Sequence, residues 1–131
     1  MRVLLISLVC LIAFASCKKN RNTAASASLI GKWTMIETSR IGTPWVPTPL
    51  AEQQSYEFKS DSTYIFKPPL ISSLSQCNGT FKTSGEFLTI NWDCGPGPAY
   101  QMTMLQLVNN DILVLDYITS ATGYKEKYER R

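Results

Sequence analysis

From Lys32 onward, apolar and polar residues alternate with a period of two, and Thr, Tyr, Phe, Ile and Val recur in the alternating runs. That is the pattern of half-buried strands, and no window carries apolar residues at helical spacing for three turns. The pattern predicts strands near Lys32–Arg40, Gln53–Lys59, Ser62–Lys67, Asn78–Thr83, Glu86–Trp92, Tyr100–Val108, Ile112–Tyr117 and Thr122–Arg130. Ser60-Asp61, Ser84-Gly85 and Asn109-Asn110-Asp111 are short enough for tight hairpin turns. The intervening segments are long and carry proline or glycine: Ile41–Ala51, Pro68–Gln76 and Asp93–Ala99. Long and tight connections alternate along the chain. In an antiparallel meander alternate connections lie at opposite ends, which predicts one closed base and one elaborated mouth. Eight strands suffice for such a meander to close with no free edge, so the expected fold is all-β, a single eight-stranded antiparallel up-and-down β-barrel. Met35, Tyr56, Phe58, Tyr64, Phe66, Phe81, Met102 and Met104 are the expected inward positions. Strands of six to eight residues with such bulky side chains leave little interior space.

Ahead of the strands the pattern changes. Met1-Arg2 is followed by a nearly unbroken apolar run from Val3 to Phe14, which reads as the core of a secretory signal peptide. A spanning helix needs about 20 apolar residues, more than this run supplies. Phe14-Ala15-Ser16-Cys17 then resembles the lipobox of bacterial lipoproteins, although Phe14 stands where Leu is more usual. The resemblance implies cleavage before Cys17 and a diacylglyceryl thioether plus an N-acyl chain, such as palmitate, on that residue. More than one acyl chain gives stable membrane attachment. It also implies an outer-membrane lipoprotein of the cell envelope, facing the periplasm. Lys18, Lys19 and Arg21 suit anionic head groups, and Asn22–Ser28 is small and polar enough for a tether. The expected division is therefore 1–16 signal peptide, 17–28 lipidated cysteine and tether, and 29–131 barrel.

Cysteine and charge narrow the function. An exported chain lies in an oxidising compartment, where Cys77 and Cys94 are expected to form a disulfide rather than a metal site. Cys77 precedes the fourth predicted strand and Cys94 follows the fifth, which makes them near neighbours across one hairpin. The chain contains no histidine, which removes Ser-His-Asp and Cys-His catalysis and His-ligated zinc. A net charge of +3 is too small to argue for nucleic acid. Among the carboxylates, Glu37, Asp93, Asp116 and Glu126, no pair has a spacing that implies acid–base work, and no phosphate loop or nucleophile elbow is present. The expectation is a monomeric protein that is not an enzyme and takes no cofactor and no metal.

Gly31-x-Trp33 at the first strand, the long first loop and the meander look like the lipocalin superfamily. The nearest likeness is to the small lipocalin-like domains of Bacteroidetes-type lipoproteins, which carry phrases similar to Tyr56-Glu57-Phe58-Lys59-Ser60-Asp61-Ser62-Thr63-Tyr64. The resemblance covers Leu29 to Arg131. It implies that Trp33 packs across the closed base under an arginine from the end of the last strand. By parity with Tyr124, Glu126 and Tyr128 that arginine is Arg130, with Arg131 the alternative if a bulge shifts the register. A frayed arginine in solvent is the competing reading. Trp45, Leu70, Ile71, Leu74, Trp92 and Tyr100, with Pro47 and Leu50, fall in or beside the long loops. Apolar residues there either fold over the barrel and complete its core or grip a small hydrophobic or amphipathic molecule. A filled barrel that serves as a protein-interaction or envelope-maintenance module is the alternative to ligand binding.

Overall fold

Period-two patterning becomes a closed sheet in the computed structural model, which describes residues 29–92, 99–117 and 123–131. The strands are β1 (Gly31–Arg40), β2 (Val46–Pro47), β3 (Ser55–Phe58), β4 (Thr63–Lys67), β5 (Cys77–Ser84), β6 (Phe87–Trp92), β7 (Ala99–Asn109), β8 (Ile112–Tyr117) and β9 (Tyr124–Arg130). Each pairs antiparallel with its neighbour, and β1 also pairs with β9, which closes the barrel. Eight strands make the wall, and β2 is the element the alternation did not predict. β3 pairs with β1 only from Gly31 to Thr34, and β2 covers the edge beyond, opposite Glu37 and Thr38. Pro44, Pro47 and Pro49 crowd this segment and hide so short a strand from any pattern.

Chain direction sorts the connections as the loop lengths predict. The turns between β3 and β4, β5 and β6, and β7 and β8 lie at one end, where β1 begins. The longer connections, including a 3-10 turn at Leu50–Glu52, lie at the other. Gly85, at φ +61, makes the tight β5–β6 turn in the left-handed backbone conformation that residues with a side chain rarely adopt.

The base is locked around Trp33, which is fully buried. Its Nε1 donates to the Leu29 carbonyl at 2.7 Å. Arg130 faces Trp33 across the β1–β9 pairing and sets its guanidinium carbon 4.3 Å from the indole centroid. The same guanidinium donates to the carbonyls of Ile30 at 2.7 Å and Asn110 at 2.6 Å. One side chain thereby joins the start of β1, the β7–β8 turn and β9. Gly31 leaves room for it. Gly31 sits at φ +136, and a Cβ there would stand 2.8 Å from Arg130 Nη1. Arg130, rather than Arg131, holds the role that the resemblance implies.

Above the base the interior is aromatic. Met35, Tyr56, Phe58, Tyr64 and Phe81 are buried, and Phe66 packs against them in part. Tyr56 is the hub, with ring centroids 5.5 Å from Phe58, 5.0 Å from Phe66, 5.7 Å from Tyr128 and 5.9 Å from Tyr64. Met102 and Met104 do not point inward as expected. Register places Thr103 beside Leu88 and Leu105 beside Leu115, and those inner partners commit the odd-numbered residues of β7 to the core. Thr103 tolerates full burial because its hydroxyl donates to the Asp116 carbonyl at 2.8 Å. Met102 is left 46% exposed on the outer wall.

Candidate functional site

At the mouth the wall residues end and the long loops take over. A groove of about 640 Å³ lies there, lined by Phe66, Leu74, Cys77, Asn78 and Trp92 among others. Phe66 ends the inner face of β4 beside Cys77, the first residue of β5. Trp92 is the last residue of β6 and packs partly on the core. One indole, one phenyl ring and a leucine wall this cleft, and Ser75, Gln76 and Asn78 complete its lining.

The residues singled out from the sequence separate into groups. Leu74 and Trp92 line this groove. Leu70 and Ile71 stand out from the rim at 83% and 69% exposure. Trp45 lies on the outer wall, because the β2 pairing turns its segment along β1. There the Lys127 ammonium sits 4.3 Å from its ring centroid and also pairs with Glu37. Tyr100 is on β7 opposite Asn91, and its side chain lies outside the described residues, as do Asp93, Cys94 and everything before Leu29, including Cys17. Cys77 is buried. Asp116 faces outward and pairs with Lys125 at 2.7 Å.

Where β8, β9 and β1 meet, the interior carries a polar layer. A bulge at Ile36 shifts β1 against β9, so that Met35 faces Tyr128 and Thr38 faces Glu126. Glu126 is 5% exposed and points into the barrel. Its Oε2 accepts from the Tyr117 hydroxyl at 2.5 Å and the Tyr128 hydroxyl at 2.6 Å, and its Oε1 accepts from Gln54 Nε2 at 2.9 Å. Gln54 donates to the Tyr128 hydroxyl as well, at 2.8 Å. Tyr124 hydrogen-bonds the same carboxylate, Tyr56 closes the aromatic side, and Arg40 lies opposite Tyr124. The signal was present in the alternation of Tyr124, Glu126 and Tyr128 on one face of the last strand.

Burial raises the Glu126 carboxyl above its ordinary value, and the hydrogen bonds from Tyr117, Tyr128, Gln54 and Tyr124 oppose that rise without cancelling it. Burial also pushes the hydroxyls of Tyr56, Tyr117 and Tyr128 upward, so each remains a neutral donor. Folding therefore strengthens proton binding at Glu126. The stabilisation this gives is complete below the unfolded carboxyl value and is lost as pH rises through the folded one. Glu126→Gln removes the titration. Thermal melts between about pH 4 and pH 8 should show the variant gaining on the wild type as pH rises. Parallel curves would contradict the assignment.

No family model and no curated protein matches the chain. Solved structures do. An uncharacterized protein from Bacteroides eggerthii DSM 20697 superposes with a TM-score of 0.60 at 11% identity, over 78% of this chain and 98% of that one. A lipocalin-like protein from Bacteroides uniformis ATCC 8492 superposes with a TM-score of 0.59 at 14% identity, over 79% of this chain and 99% of that one. The fold is a lipocalin-like barrel. At these identities the likeness concerns the fold alone. In this lipocalin-like barrel the interior above the base is packed with aromatic side chains.

Proposed function

We propose that this protein is a lipid-anchored, non-enzymatic component of the cell envelope that binds a small hydrophobic or amphipathic molecule at the open end of its barrel. The groove between Phe66, Leu74, Cys77 and Trp92 carries the reading. It lies at the elaborated end, and Phe66, Leu74 and Trp92 give it an apolar wall.

The anchor is Cys17, acylated and held in the outer membrane with the barrel on the periplasmic side. A Cys77–Cys94 disulfide braces the groove. Gly79 faces Trp92 in the β5–β6 register, and in the sequence Cys77 stands two residues before Gly79 and Cys94 two residues after Trp92.

Displacement of a fluorescent apolar probe by long-chain fatty acids tests the binding reading. Saturable binding that Trp92→Ala weakens at least about ten-fold is the expected result, since one buried aromatic supplies that much. A probe that never binds, or binds the variant equally, would overturn it. Labelled palmitate entering the wild type but not Cys17→Ala tests the anchor separately.

A further inference from the structure

The two ends of the barrel differ in a way that ligand binding in the groove does not require. Ile41, Leu50, Leu70, Ile71 and Leu74 are 73%, 77%, 83%, 69% and 68% exposed, and all five stand at the mouth end. At the base, the turns Lys59–Ser62, Gly85-Glu86 and Asn110-Asp111 carry no exposed large apolar side chain, and the exposed apolar residues there are Phe87 at 41% and Val108 at 57%, on the strands that flank the turns. The rim is one surface rather than a scatter, because the Ile71 amide donates to the Ala51 carbonyl and ties the first long loop to the second. Within 41–54 and 68–76 the single charged residue is Glu52, while Arg40 and Lys67 stand where the strands end. Aliphatic tips behind a collar of cations are the arrangement that suits a bilayer interface with anionic head groups.

We infer that the mouth rim docks onto a phospholipid surface, with the aliphatic tips in the interface and Arg40 and Lys67 at head-group level. The chain outside the described residues agrees with this occupant. An apolar run at 3–14 directs the protein to a membrane, and the described chain begins at Leu29, beside the base. Cys17–Ser28 spans at most about 40 Å when extended. The ten residues of β1, rising about 3.4 Å each and tilted as barrel strands are, stand roughly 25 Å high. A tether leaving the base is long enough to let the mouth face the bilayer that holds the anchor. The groove would then open onto the membrane, the source of an apolar ligand. The docking itself rests on the rim and needs neither the anchor nor the groove.

Vesicle co-sedimentation of residues 29–131, within which the β1–β9 pairing closes the barrel, tests this without any acyl chain. Vesicles of phosphatidylethanolamine with phosphatidylglycerol should carry the barrel down, and pure phosphatidylcholine should carry less. Combining Leu70→Asp with Ile71→Asp should lower the affinity at least about ten-fold, and Lys82→Glu near the base should leave it unchanged. Both are surface changes, and an unaltered melting curve confirms that the barrel is intact. A barrel that stays in the supernatant, a double variant that binds as well as the wild type, or a base variant that weakens binding equally would overturn the inference. So would a rim-dependent dimer with no affinity for vesicles. Palmitate labelling and probe binding are separate readouts, so failure of the anchor or of the groove is distinguishable from failure of the docking.

Discussion

Trp33→Ala should lower the unfolding free energy by about 3–5 kcal/mol, the range for deleting a large buried aromatic. The indole is fully buried and donates to the Leu29 carbonyl. Removing it leaves that carbonyl without its donor and takes the π-face from beneath Arg130. The guanidinium still has the Ile30 and Asn110 carbonyls, so the base loosens rather than comes apart. Urea denaturation measures the loss, and a variant within about 1 kcal/mol of the wild type would show that Trp33 does not close the base.

Tyr128→Ala should cost a similar amount, about 3–5 kcal/mol, for a different mixture of reasons. Tyr128 is fully buried and meets the Tyr56 ring edge-on at 5.7 Å. Its hydroxyl donates to Glu126 and accepts from Gln54. Tyr128→Phe separates the two contributions, because it keeps the ring and removes only the hydroxyl. That change should cost about 1–3 kcal/mol, since Glu126 loses one of its donors while remaining buried. It should also raise the Glu126 carboxyl further, so that the pH dependence of stability becomes steeper on the alkaline side. If the phenylalanine variant were as stable as the wild type and showed the same pH profile, the Glu126 layer would carry no energetic weight.

The wall of the barrel was legible because each strand is half buried and its alternation survives in the sequence. Arg130 was legible from the lipocalin resemblance, with parity choosing it over Arg131, and Gly31 from its place before Trp33. Parity failed on β7, where Met102 and Met104 read as core. Both faces of that strand are apolar, and only the partners Leu88 and Leu115 decide which one faces in. Trp45 failed for a related reason. Its position in a long loop pointed to the mouth, but two residues of β2 pairing turn it onto the outer wall. Parity put Glu126 on one face with Tyr124 and Tyr128, but no carboxylate spacing pointed to a role for it. What buries it is a set of partners on three other segments, Gln54, Tyr117 and the bulge at Ile36, which no local pattern joins. The groove is legible only in outline, since aromatic residues near loops say that a mouth exists but not which of them face it.

Native mass spectrometry of the protein released gently from its own membranes addresses the binding claim most directly. The account predicts a population carrying one adduct of lipid or fatty-acid mass, retained in Trp45→Ala, whose indole lies outside the barrel, and diminished in Trp92→Ala. A spectrum with the apo mass alone, or an adduct that survives the loss of Trp92 unchanged, would contradict it.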